Sequence, residues 1–218
     1  PSGTPFISLD EKERKLDAED LIICNGKGEG MCIGGVFGGL HSGVSNSTTT
    51  VFLESAWFSP AGIRKSSFRH NLRTDAATHF EKGVDISQTV DVLKRAAMLI
   101  CEHANGHIAS EIIDIYPSPQ KPIEVNISYA YLERLSGKKY SPDTVKEILR
   151  GLGFTMFREE DETVTVAVPF HKTDISLPAD IAEEIMRIDG FDNIAIPTNI
   201  SFSPASETLG RQEVLKEK

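Results

Sequence analysis

Asp180, Glu183 and Glu184 fall at positions i, i+3 and i+4, a spacing that puts three carboxylates on one face of a helix. Asp174 lies just upstream. Four acids gathered without a base repel one another unless a hard cation holds them, and oxygen donors of this kind suit Mg2+ or Ca2+. The same spacing also describes a solvated helix face whose acids sit near a positively polarised N-terminus. Spacing alone leaves both readings open.

Other candidates lie in the first half. Residues 34–43 hold five glycines after an apolar stretch, so backbone N–H groups there can approach a ligand closely. No Gly-Lys-Ser/Thr follows, which excludes a P-loop, and the helix and acid of a dinucleotide-binding turn are missing. The run serves equally as a tight turn with close strand packing. Glu54 ends the apolar stretch Val51-Phe52-Leu53. It either marks where a strand meets solvent or accepts a hydrogen bond at a pocket mouth. Arg73-Thr74-Asp75-Ala76 combines polar side chains with a small Ala, which leaves room for a ligand or merely starts a helix. Between residues 55 and 74 there is no acid, but Arg64, Lys65, Arg69 and Arg73 all occur there. That is a local basic patch in a chain of net charge −9, which excludes only a generally basic nucleic-acid-binding surface. No Cys has a His at diagnostic spacing, and the six His are scattered, which argues against Ser/His/Asp or Cys/His nucleophilic chemistry.

Elements must position these groups. With 218 residues, 39% of them hydrophobic and 25% charged, the chain can build one large core or two small ones. No apolar run reaches the roughly 20 residues that span a bilayer, so no membrane partner is expected. Three cysteines make an odd, sparse set that suits a reducing cytoplasm rather than a disulfide scaffold. The start, Pro1-Ser2-Gly3-Thr4, has neither Met nor a signal-like region, and we expect the chain to be a piece of something longer.

Three prolines within residues 117–122 read as a stiff linker. The domain reading is therefore 1–117, a linker at 118–122, a second domain at 123–198 and a loop or tail at 199–218. The first domain is read as strands at 21–24, 31–37 and 49–54. A helix opened by Ser59-Pro60 follows, then a second starting near Asp85, with Gln88 as capping partner, Val90, Leu93, Ala97, Ile100, Cys101 and Ala104 as its apolar face and Gly106 as its stop. The second domain is read as helix, helix, hairpin, helix. Its helices follow Ser128 and Ser141-Pro142 and start at Pro178, and the last has an apolar stripe of Ile181, Ile185 and Ile188. The fold class is α+β, with a small winged-helix-like second domain.

Together these residues resemble a known family. Residues 34–43, 52–58 and 63–65, and above all 72–85 (LRTDAATHFEKGVD), resemble the B3/B4 domain of the bacterial phenylalanyl-tRNA synthetase beta chain. Residues 168–175 and 180–194 resemble its B5 domain. The resemblance runs through nearly the whole chain in the family's order.

The resemblance implies a beta chain that pairs with an alpha chain as an α2β2 enzyme, joining phenylalanine to tRNA-Phe with ATP and Mg2+. The synthetic site, and ATP, belong outside this piece. The B3/B4 domain implies an editing site that hydrolyses tyrosine wrongly attached to tRNA-Phe. By motif match Glu54 meets the phenol, Gly38 lines the pocket, and Thr74 and Ala76 stand at the scissile ester and pocket wall. The B5 match implies that Asp174, Asp180, Glu183 and Glu184 bind a Mg2+ at the junction with the alpha chain. Arg64, Lys65, Arg69 and Arg73 are the expected tRNA contacts. His171 and Lys172 depart from the family, which more often has an aromatic or Ser followed by Arg. A family segment carrying a His near the pocket is expected before Pro1. The competing readings are a free-standing editing hydrolase and a non-enzymatic RNA-binding or assembly module.

Overall fold

The structure is a computed structural model and describes residues 2–196. The 199–218 tail, and the end of the second domain beyond 196, lie outside the described residues.

The first half builds two small antiparallel sheets. Strands β1 (Pro5–Ile7) and β2 (Glu13–Lys15) pair with each other. Strands β3 (Ile22–Cys24), β4 (Gly30–Ile33) and β5 (Phe37–Gly38) pair in that order. A single bridge from Ser8 to Gly39 links the two sheets. Helices α1 (Pro60–His70) and α2 (Asp75–Phe80) pack beside them, and α3 (Thr89–Ala104) follows. Phe6, Leu16, Ile33, Val36, Phe58, Ile63, Leu72 and Ala77 form the core, with Phe58 and Phe80 edge to face at 5.0 Å between centroids. That geometry is favoured by the ring quadrupoles.

The second half has a tighter core. Strands β6 (Glu124–Ser128), β7 (Thr155–Glu160) and β8 (Thr163–Ala167) form an antiparallel sheet with β8 in the middle. Helices α4 (Tyr129–Ser136), α5 (Pro142–Gly151) and α6 (Pro178–Asp189) complete it. The serines before α4 and α5 are true N-caps: Ser128 accepts from the Tyr131 N–H and Ser141 from the Thr144 N–H. Val145, Leu149, Val164, Val166, Ile181 and Ile185 are fully buried at 0% exposure. Each contributes on the order of 1.5–3 kcal/mol. Asp189, at the end of α6, accepts hydrogen bonds from Lys138 and Tyr140, tying the α4–α5 loop to the last helix. The two halves touch where Thr173 Oγ1 donates to the Lys82 carbonyl at 3.2 Å. Gly83, at φ +90°, lies so close to Thr173 that an added Cβ would stand 3.1 Å from it.

Several expected elements are corrected. Residues 49–54 form no strand; their β-branched and aromatic composition favours one, but the segment pairs with none of the strands. The 31–37 strand is two, because Gly35 at φ +67° turns the chain between β4 and β5. Asp85 caps a short 3-10 turn through the Ser87 N–H, and α3 begins only at Thr89. Gln88 makes no side-chain cap, and Asn105 in the left-handed region, not Gly106, ends the helix. No residue of α3 is buried, so its apolar stripe stays outside the core. Ile188 is 48% exposed, leaving Ile181 and Ile185 to seat α6.

Candidate functional site

The β4–β5 hairpin organises the first candidate cluster. Gly38 stands opposite Cys32 in its register, and an added Cβ would meet Leu9 Cδ1 at 2.8 Å. Gly39 is tighter, since its Cβ would lie 2.6 Å from the Met31 carbonyl oxygen. The glycine run is thus required for close backbone packing. Thr74 ties α2 to this hairpin. Its hydroxyl donates to the Val36 carbonyl at 2.6 Å and accepts from the Ala77 N–H at 3.1 Å, so one side chain caps the helix and anchors it to the turn. Ala76 sits two residues along, exposed.

Glu54 arrives on the 49–59 segment, which is neither helix nor strand. It is exposed at its surface, yet desolvation by the neighbouring protein raises its carboxyl above the usual value. Among the described residues it has no hydrogen bond or ion pair to oppose that rise. The Cys32 thiol is raised by burial and then by the charge of Glu54. The structure therefore brings Glu54, Cys32, Gly38 and Thr74 around one hairpin.

The basic residues of α1 are not a free patch. Lys65 pairs with Glu19 at 3.1 Å. Arg69 reaches Asp17, Glu19 and Asp20 at 3.5, 2.8 and 2.8 Å. Asp20 is fully enclosed, accepting from His70 Nε2 at 2.6 Å, Ser66 Oγ at 2.7 Å and the Asp17 N–H at 2.8 Å. Burial alone would raise its pKa, but the hydrogen bonds from Asp17, Ser66 and His70 outweigh it and bring it down to about 2. Arg73 lies over the Phe68 ring at 5.3 Å. Arg64 is exposed and, among the described residues, without an ion pair. Two of the four cations in the acid-free run, Lys65 and Arg69, are thus paired with acids at positions 17–20, far upstream in sequence. Three acids within residues 17–20 were the only sequence sign of this.

The carboxylates of the second half separate into two kinds. Asp180 Oδ2 accepts from the Ser176 and Leu177 N–H groups, both at 2.8 Å, so it caps its own helix. Glu184 accepts from Lys172 Nζ at 2.5 Å and from Arg187 Nη2 at 2.9 Å. Arg187 first, then Lys172, hold its carboxyl below the usual value despite desolvation. Asp174 and Glu183 are exposed and have no hydrogen bond or ion pair among the described residues. Their oxygen chemistry suits a hard cation, but among the described residues no three His, Cys, Asp or Glu side chains stand together to hold a metal ion. As folded in this lone chain, the four acids do not close around a common point. Lys172 and Arg187 are the residues that the sequence reading left without a role.

Comparison with known proteins decides the family. The B3/4 domain matches residues 1–105, and the tRNA synthetase B5 domain matches residues 125–191. A phenylalanine–tRNA ligase beta subunit of Porphyromonas gingivalis is 44% identical over 206 residues, covering 94% of this chain and 25% of the relative. The chain belongs to the phenylalanine–tRNA ligase beta-subunit family. The beta subunit of Bacteroides thetaiotaomicron is likewise 44% identical, over 203 residues, covering 93% of this chain and 25% of the relative. That of Geobacillus kaustophilus is 38% identical over 193 residues, covering 88% and 24%. This beta-subunit chain thus spans about a quarter of the length of the curated relatives it matches. No helix among its described residues is long and apolar enough to cross a membrane.

Proposed function

We propose that this chain is the editing and subunit-junction section of a cytoplasmic phenylalanine–tRNA ligase beta subunit, which works with an alpha chain and ATP to charge tRNA-Phe. Its own task is to hydrolyse the ester of tyrosine misattached to that tRNA. The need is physical. A pocket shaped for phenylalanine rejects an added hydroxyl only weakly, whereas a site offering a polar partner discriminates strongly for it. The observation that carries the reading is the Glu54 carboxylate, unpaired among the described residues and close enough to Cys32, the register partner of Gly38, to raise its thiol.

In this reading Glu54 accepts the hydrogen bond of the tyrosine phenol, and Gly38 keeps the wall open to a ring. Thr74 is a positioning residue: its hydroxyl is already engaged at Val36 and Ala77, so it fixes α2 and Ala76 against the hairpin. A water attacks the ester carbonyl, the tetrahedral oxyanion is stabilised by backbone N–H groups, and the tRNA hydroxyl leaves with a proton. The test is the Tyr-against-Phe hydrolysis ratio after Glu54→Ala, which falls towards one if Glu54 reads the phenol. An unchanged ratio removes that role.

Asp174, Asp180, Glu183 and Glu184 are proposed to hold a structural Mg2+ shared with the alpha chain. When bound, that ion would supply a fixed positive charge at the junction. Asp174 and Glu183 are open for it, whereas Glu184 must first leave Lys172. This site takes no part in the hydrolysis. Alignment with beta subunits through both domains favours this reading over a free-standing editor, and the internal pairing of Lys65 and Arg69 disfavours an RNA module built on α1.

A further inference from the structure

The cations left unpaired by internal acids point to a different surface. A cleft of about 350 Å³ opens where the two halves meet, with Lys82 and Trp57 on the first half, Phe170 on the second and Lys121 on the linker. None of its lining residues is an acid. Lys82 and Lys121 are exposed and form no ion pair among the described residues. The third lysine of the wall, Lys172, is committed to Glu184. A second cleft of about 510 Å³ adjoins the first and shares Trp57 with it. Its wall carries Tyr116, 41% exposed, and one acid, Asp114. The two clefts share Trp57, Ile86 and Gln120, so together they form one groove lined by three aromatic rings, with the Lys82 and Lys121 ammonium groups on the wall of the first cleft.

We infer that this groove binds single-stranded RNA, with bases stacking on Trp57 and Tyr116 and the phosphate backbone passing Lys82 and Lys121. Sequence-tolerant single-strand sites combine these two features: flat rings that accept any base, and a cationic end that tracks phosphates. An apolar peptide would not need the lysines, and a free anion would not need the rings. The inference rests on the RNA-handling part of the function proposed above, but places the contact at the domain junction rather than on α1.

Trp57 is the chain's single tryptophan, so its fluorescence reports the groove directly. Titration of the 218-residue chain with single-stranded oligoadenylate is expected to quench that emission saturably. In the Lys82→Ala/Lys121→Ala double variant the salt slope of log K should shrink by about 1.4, since each single-strand phosphate contact contributes about 0.7. Tyr116→Ala should weaken binding roughly fivefold or more. All three side chains reach the surface, and Tyr116 gives up only the bond its hydroxyl accepts from the Gln120 N–H at 2.8 Å, so the variants should keep the wild-type circular dichroism, and melting temperature should change by no more than that one exposed bond contributes. No quenching by oligoadenylate overturns the proposal. So does an unchanged salt slope in the double variant, or equal competition by inorganic polyphosphate with no loss in Tyr116→Ala, which would mean charge attraction alone. The probe carries no aminoacyl ester, so these outcomes leave the editing reading standing, and loss of editing leaves this one standing.

Discussion

Lys172 Nζ donates to Glu184 Oε2 at 2.5 Å, and this bond fastens the 169–177 loop, which carries Asp174, to the helix that carries the other three acids. The two side chains are only 15% and 16% exposed, so water screens the pair little. Arg187 holds the same carboxylate from the next turn. The acids of this region are thus already partly charge-balanced within the chain.

That relationship makes a prediction about cation removal and replacement. Lys172→Met should cost about 1–3 kcal/mol in urea unfolding with chelator present, because Glu184 loses a buried charged partner. Added Mg2+ should restore part of the loss in the variant and do less for the parent. No recovery with the alpha chain also present, where the proposed site is complete, would mean that Glu184 is not a ligand.

Acid stability should depend on Asp20. Its pKa lies at about 2 when folded against an ordinary 3.8. A carboxylate depressed on folding contributes stability that is complete above its unfolded pKa and lost as pH falls through the folded one. Asp20→Asn should therefore destabilise the chain by about 1–3 kcal/mol at neutral pH. The gap between parent and variant should shrink between about pH 4 and pH 2, read from denaturation midpoints across that range. A gap that stays constant with pH would contradict the assignment.

Gly39 tests the hairpin packing. A Cβ placed 2.6 Å from the Met31 carbonyl oxygen meets backbone, which cannot turn aside as a side-chain end can. Gly39→Ala should cost about 1–3 kcal/mol by thermal unfolding. Ala substitution at Gly26, which has open space around it and no positive φ, should cost little.

Thr74→Val removes both the bond to Val36 and the α2 cap while keeping the shape. A loss of about 1–2 kcal/mol is expected. Thr74→Ser keeps the hydroxyl and with it both bonds, so it should keep stability and hydrolysis, and across such variants hydrolysis should fall in step with stability if Thr74 acts by positioning α2.

The second half was the more legible part of the sequence. Ser141-Pro142 states a helix start, and Val145 and Leu149 repeat at helical spacing; α6 follows the same logic from Pro178. Strand β6 was missed because its buried Val125 and Ile127 alternate immediately after a proline-rich linker, and only the β8 edge makes them a strand. The reverse error, a strand at 49–54, has the same cause: strand propensity is realised only where a partner edge exists. At the candidate sites the residue types were readable, but their partners were not. Nothing local in α1 announces that Asp20 will be enclosed against Ser66 and His70, and nothing in the α6 acids announces that Lys172 will claim Glu184. Long-range pairs of this kind exist only after folding.

The central claim is that Glu54 reads the tyrosine phenol. The most direct measurement is hydrolysis of Tyr-tRNA-Phe and Phe-tRNA-Phe, side by side, by the ligase assembled from the full-length beta subunit and its alpha partner, with and without Glu54→Ala. The parent is expected to hydrolyse the tyrosyl ester selectively, and the variant to lose the preference while its charging activity is unchanged. A variant that keeps the full preference for the tyrosyl ester would contradict the claim.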